Sequence, residues 1–374
     1  MDHERFLLYS SVFVIMGLSN AVIPVLPELA ATGQTTAVTS TSLLYSAFFL
    51  GALFTMLPFG ILSDRFCSMK FVIFGLILSF ISGIFISFTD NFTILVLARF
   101  IEGASCGAFF PAAFSRLALF TKKMRYIGEF NFLLNGGLAA GVAITGYLAE
   151  TGIKYGIYLF VILTAFTLAF AFYYMICPTR KQDQEDIPGK EMLSARAYLS
   201  FITSRSSLSI WIISFLLAGS SGVLVSLYPE YSIGTLTKTE LGIAISLLYI
   251  STMFSSLTIA RFNYGYDELI KKGIIIATIG ILLTIYYPMA GFTVIGLGSG
   301  IMLLGLPLAI TDMKIEHGIA MGIYNTCIYA GLALMPLIAG VFTGVFDTVT
   351  IFIATGLLFG TTLFFDRFPG QNAN

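Results

Sequence analysis

Charge is what this chain has least of. Of its 374 residues, 20 are Lys or Arg and 20 are Asp or Glu, 11% together, against about 25% in a soluble globular protein. With 57% hydrophobic residues and a mean hydropathy of +0.90, it has too few charged side chains to cover a water-facing surface, which excludes a soluble enzyme. Cysteine is scarce as well. Cys67, Cys106, Cys177 and Cys327 stand at no paired spacing, which excludes a secreted disulfide scaffold. The only histidines are His3 and His317, and no H-E-x-x-H or paired intramembrane aspartates occur. A membrane-embedded enzyme would lack its nucleophile or metal cluster, and no cofactor is expected. The formal charge is zero and no basic stripe is present, which excludes nucleic acid as a partner. What remains is an integral membrane protein, with the lipid bilayer as its solvent.

A membrane helix takes roughly 20 apolar residues. Apolar runs bounded by charge or turn residues fall near 6–28, 37–62, 71–89, 92–117, 127–149 and 155–177, then near 207–229, 240–262, 273–290, 293–311, 318–344 and 348–366. If the N-terminus is cytoplasmic, every one of the 20 basic residues except Arg99, Lys154 and Lys238 falls on the cytoplasmic side. A wrong span count would scramble that alternation, so the positive-inside bias supports twelve spans with both termini cytoplasmic. The first run has no small-residue cleavage site before Pro24 and Pro27 and reads as a retained span. One polar stretch, 178–206, divides the chain into a six-span bundle over 1–177 and another over 207–374. Within it, 190–203 is either a short surface helix or a plain tether.

The halves resemble each other. Pro27-Glu28 closing span 1 recurs as Pro229-Glu230 closing span 7, and Ser42-Leu43-Leu44-Tyr45 recurs as Ser246-Leu247-Leu248-Tyr249. Pro111 has a counterpart in Pro307. Gly128, Asn131, Gly137 and Gly146 of span 5 match Gly322, Asn325, Gly331 and Gly340 of span 11. Six is even, so both halves enter the membrane the same way. That is a parallel repeat about an axis along the membrane normal, the arrangement in which two bundles rock around a midplane site. It favours a carrier, as does the lack of any charge ring or filter loop that a channel would show.

Span 2 is followed by Gly60-Ile61-Leu62-Ser63-Asp64-Arg65-Phe66-Cys67-Ser68-Met69-Lys70, Arg99 in span 4 by Gly103 and Gly107, and span 5 carries Gly128, Gly137, Gly141 and Gly146. With Pro24, Leu26 and Pro27, these resemble the major facilitator superfamily over the whole chain, most closely its twelve-span drug/proton antiporter branch. The resemblance implies an all-α membrane fold of 12 transmembrane helices in two pseudo-symmetric six-helix bundles. It also implies a cytoplasmic gate at Gly60, Asp64, Arg65 and Lys70, with Asp64 latching the bundles near the start of span 11, where a helix N-terminus favours a carboxylate. The family's loop signature departs here at Cys67, Ser68 and Met69, and an ordinary positive-inside loop is the other reading. In span 5, Val142 and Thr145 stand where the antiporter signature has proline and glycine, whereas Pro336 keeps the proline in span 11. Gly103, Gly107, Gly137, Gly141, Gly146 and Pro336 are expected to set helix packing, with or without a role in coupling.

Arg99 is the one basic residue well inside a span. A charge at that depth needs a cavity or a partner, and Glu102 lies three residues on, within reach on the helix surface. The family associates the corresponding arginine with proton coupling, which makes Glu102 the candidate protonatable carboxylate. The alternative is a structural ion pair. Glu28 and Glu230 are either outer gate residues or solvated helix ends, and Glu129 beside Arg125 is interfacial.

The remaining inward-facing candidates are polar but uncharged: Asn20, Tyr45, Asn131, Asn135, Tyr249, Asn325, Tyr324 and Tyr329. A sugar or organic-anion carrier needs dense donors or cations; an adaptable apolar pocket suits lipophilic compounds, cationic ones included. The sequence thus reads as a secondary active transporter of the cytoplasmic membrane, a monomer exporting lipophilic small molecules in exchange for protons. The alternative is a uniporter or importer of a small neutral metabolite.

Overall fold

The computed structural model describes residues 2–31, 33, 37–176, 205–262, 264–311 and 317–365. Every regular element among them is helical. The first crossing is α1 (Asp2–Ala21) continued by α2 (Leu26–Ala30) through a tight 3₁₀ turn at Ile23–Val25. Pro24 and Pro27 force that break, since neither has an N–H to carry the ladder and each ring crowds the preceding turn. The first half continues with α3 (Ala37–Arg65), α4 (Ser68–Phe88), α5 (Phe92–Ala118), α6 (Lys123–Ala149) and α7 (Tyr155–Ile176). The second half holds α8 (Arg205–Tyr231), α9 (Lys238–Ile259), α10 (Tyr266–Leu283), α11 (Pro288–Thr311), α12 (His317–Phe342) and α13 (Thr348–Gly360). These make twelve crossings in two six-helix bundles. The expected linker falls almost wholly on 177–204, outside the described residues.

Ten of the crossings are long and apolar enough to span a bilayer by length and composition alone. The other two explain where the sequence reading slips. The run expected at 273–290 is α10, starting seven residues earlier because its first turns carry Asp267, Glu268, Lys271 and Lys272. It stops at Leu283, and Pro288 opens α11 rather than closing α10, a position where its missing N–H costs nothing. The last crossing, α13, is 13 residues and ends in a 3₁₀ turn at Thr361–Phe364, short of the expected 366.

Helix starts at the loops opposite the termini are fixed by local chemistry. Asn91 caps α5 through Ile94 N, Asp347 caps α13 through Thr350 N, and Thr237 and Glu240 form a reciprocal capping box on α9, each satisfying N–H groups a helix leaves orphaned. Successive crossings alternate, so the chain has a basic end, bearing Arg65, Lys70, Arg116, Lys122 and Arg125, and a far end with few cations. Large apolar side chains such as Phe54 and Phe166 stay exposed on the outer flanks, as lipid contact requires.

Small residues let helices within a bundle touch backbone to backbone. A Cβ at Gly103 of α5 would collide with the carbonyl of Phe48 on α3, and one at Gly107 with Thr55. Gly137 and Gly141 of α6 lie in the same way on Phe13 and Gly17 of α1. In the second half Gly331 of α12 lies on Phe215 of α8, the repeat equivalent of Gly137 on Phe13. Pro336 sits within α12, its ring against Gly222, while α6 carries no proline.

Candidate functional site

Arg99 and Glu102 lie on the inner face of α5, 2% and 0% exposed. Arg99 Nη1 is 2.5 Å from Glu102 Oε2 and donates also to Ser19 O of α1 at 3.1 Å; Nε donates to Leu44 O of α3 at 3.3 Å. The guanidinium lies 4.8 Å from the ring centre of Phe48, a favourable cation–π geometry. The pair therefore sits at the meeting of three helices, away from lipid. Glu102 Oε1 is buried without a hydrogen-bond partner. One carboxylate oxygen is thus satisfied and the other is not, which leaves room for a proton.

Beside the pair, at mid-depth, the bundles meet through aromatic side chains. Phe49 packs edge-on against Phe48 with ring centres 4.9 Å apart, against Tyr45 at 5.0 Å and across the interface against Tyr329 of α12 at 6.3 Å. Asn20 donates to Leu138 O at 3.2 Å, and its side chain lies near Tyr249 of α9. Of the expected pathway residues, Asn20, Tyr45, Tyr249 and Tyr329 come together here. Tyr324 is buried, its hydroxyl without a partner.

From this aromatic layer to the far end the bundles are joined. Gly146 of α6 lies against Lys238 O and Gly242 of α9, and its repeat equivalent Gly340 of α12 lies against Ser42 and Thr39 of α3. Thr39 Oγ1 donates to Gly340 O at 2.8 Å. Gly146 is therefore an inter-bundle contact rather than part of the packing within its own bundle. Lys238 Nζ is 2.6 Å from Glu28 Oε1 and 2.9 Å from Pro24 O, and Thr239 N donates to Glu150 Oε1 at 3.2 Å. Glu28 is thus engaged across the interface, which corrects the reading of a solvated helix end.

Toward the basic end the bundles part. Asn131 and Asn325, repeat equivalents on α6 and α12, are exposed, and Asn135 is half-buried, donating to Asn131 O at 3.0 Å. Open space surrounds Gly128, Gly136 and Gly322. Arg65 and Lys70 are exposed, and Gly60 faces only the Pro111 ring. Asp64 falls on α3, but its side chain, like those opening α12 at 317–319, is outside the described residues. Near the same end Glu4 pairs with Arg116, and Glu129 accepts from Arg125 at 2.7 Å and Tyr9 at 2.8 Å.

Sequence reasoning missed Phe48, Phe49 and Lys238. Nothing about a phenylalanine in so phenylalanine-rich a chain singles it out. Lys238 did carry a signal, being one of only two basic residues at the far end.

The cleft, closed at one end and open at the other between two pseudo-equivalent bundles, is transporter architecture, and the sequence profile of the Major Facilitator Superfamily matches residues 8–235. The chain belongs to that superfamily. Among major facilitator relatives, the quinolone resistance protein NorA of Staphylococcus aureus is 25% identical over 378 residues, covering 96% of this chain and 94% of NorA. An uncharacterised transporter of Methanocaldococcus jannaschii is 25% identical over 324 residues, 82% of this chain and 83% of that one. In fold, the chain is similar to the crystal structure of the nucleoside transporter NupG, with a TM-score of 0.77 at 15% identity over 97% and 98% of the two chains. It is also similar to an inward-facing, unoccupied bacterial homologue of the lysosomal transporter Spinster, with a TM-score of 0.72 at 14% identity over 96% and 93%. The protein is a multi-pass membrane transporter, not an enzyme.

Proposed function

We propose that this transporter exports lipophilic small molecules, cationic ones included, in exchange for protons, by alternating access between residues 1–177 and 207–374. The observation that carries coupling is the Glu102 carboxylate, sealed in the first bundle with Arg99 on one oxygen and no donor on the other. The apolar, aromatic lining and the absence, among the described residues, of a second deep charge beside it favour a lipophilic substrate, and the name of the NorA relative points the same way. The positive-inside bias places the basic end and both termini in the cytoplasm, so the state described here faces inward, in the cytoplasmic membrane, as a monomer. In the outward-facing state Gly60, Asp64, Arg65 and Lys70 meet the start of α12, with Asp64 as the latch.

In proteoliposomes, adding a lipophilic cation to the wild type under an imposed pH gradient should move protons and cation in opposite directions. Glu102→Gln should abolish gradient-driven transport while equilibrium binding persists. Unchanged transport would remove Glu102 from the mechanism. Full enclosure of the pair also suits a static clamp, and hence a uniporter or importer of a small neutral metabolite. That reading gains if a broad lipophilic panel moves no protons.

A further inference from the structure

The far-end gate gathers more acid than base. Glu28 at the end of the first crossing and Glu230 at the end of α8 are repeat equivalents, and the closed gate brings both within electrostatic reach of one lysine. Lys238 Nζ is already held by Glu28 Oε1 at 2.6 Å and Pro24 O at 2.9 Å. Glu230 interacts electrostatically with both Glu28 and Lys238, yet Glu28 Oε2 and Glu230 Oε2 are each buried with no hydrogen-bond partner.

Other ionisable groups facing this corner have partners of their own. Asp90 lies 2.8 Å from Lys154. Glu240 accepts from Thr237 N at 2.9 Å in its capping box. Thr239 beside Glu150, its backbone N–H donating to the carboxylate, holds that group below the usual carboxylate range, and hydrogen bonds from Thr350 do the same for Asp347, so both stay ionised near neutral pH. Tyr228 and Tyr231 donate to Thr284 O and Ile285 O, Tyr286 and Tyr287 are exposed, and the adjoining ends of α3 and α12 carry no ionisable side chain. Lys238 thus contacts one carboxylate and reaches the other only electrostatically, and a half-buried carboxylate left without a contact partner disfavours closure unless it is neutral.

We propose that Glu230, set beside the Glu28–Lys238 pair when the bundles meet, is a second proton-binding site, which takes one proton from the outer medium when the far-end gate closes and returns it there on opening. The site is built only when the bundles meet, because one carboxylate comes from each. A hollow of about 610 Å³, lined by Glu28, Asp90, Lys154, Tyr155 and Tyr158, opens beside it and gives water a route to the acid. External acid then favours the inward-facing state. The inference adds a site to the exchange proposed above and does not depend on Glu102.

The test is the far-end distance between spin labels at Ile153 and Val345, exposed in opposite bundles, in a cysteine-depleted, transport-competent background. Hydrogen exchange of the α8–α9 turn in the unlabelled protein serves as a second readout. Between pH 5.5 and 8.5 the open-to-closed ratio should rise with pH, approaching tenfold per unit for one linked proton. Glu230→Gln should hold the gate closed and flatten the titration, and Glu102→Gln should leave it in place. A wild type without pH dependence, or an E230Q protein that titrates like the wild type, overturns the site. A titration lost in E102Q but kept in E230Q overturns it too, and assigns the proton to the central pair. Loss of exchange in E102Q with the gate titration intact separates the two readings.

Discussion

Arg99 shows how much one side chain can organise. Its donors reach carbonyls on α1 and α3 while it stands on α5, so it pins three helices of the first bundle and compensates Glu102. Removing only the cation strands a buried carboxylate, a loss of about 3–5 kcal/mol. Arg99→Ala should therefore lower the thermal unfolding temperature sharply in detergent, and Arg99→Ala with Glu102→Ala should recover most of that loss; equal losses in both would deny the coupling. The pair was legible in the sequence because both members share one helix at a spacing of three. The Glu28–Lys238 pair was not, since its members belong to different halves and only the closed interface joins them.

At the scale of elements, glycines do two jobs that sequence spacing alone does not separate. Gly103 lies between helices of one bundle; Gly146 and Gly340 lie between bundles. Gly103→Val should reduce the yield of folded protein, because the side chain meets backbone that cannot yield. Gly146→Val and Gly340→Val should leave each bundle folded and drive the far ends apart, read as a longer label distance across the gate. If Gly146→Val unfolds the protein as Gly103→Val does, the inter-bundle assignment is wrong. Most element boundaries followed from apolar runs and charge. The α10–α11 corner did not, because charged first turns hid the start of one helix and Pro288 was assigned to the helix before it rather than to the one it opens.

For the molecule as a whole, the twelve crossings and the parallel repeat were legible because each leaves a long-range mark, alternating loop charge in one case and matched motifs in the other. Which end stands open was not, because both states share one sequence. The exposure of Asn131 and Asn325 sets an expectation: cysteines placed there should react with a membrane-impermeant maleimide from the cytoplasmic face of inside-out vesicles, and hardly from the opposite face. Equal labelling from both faces would contradict the orientation proposed for the basic end.

The ring contact between Phe49 and Tyr329 turns the cleft into a blind alley with a wide mouth. A short guest seated against that floor leaves the lips free to come together. A long one props them open and stalls the cycle. Along a series of homologous guests, then, affinity should climb with chain length while turnover collapses once the tail protrudes past Asn131 and Asn325, so that the best binders of this protein are its inhibitors.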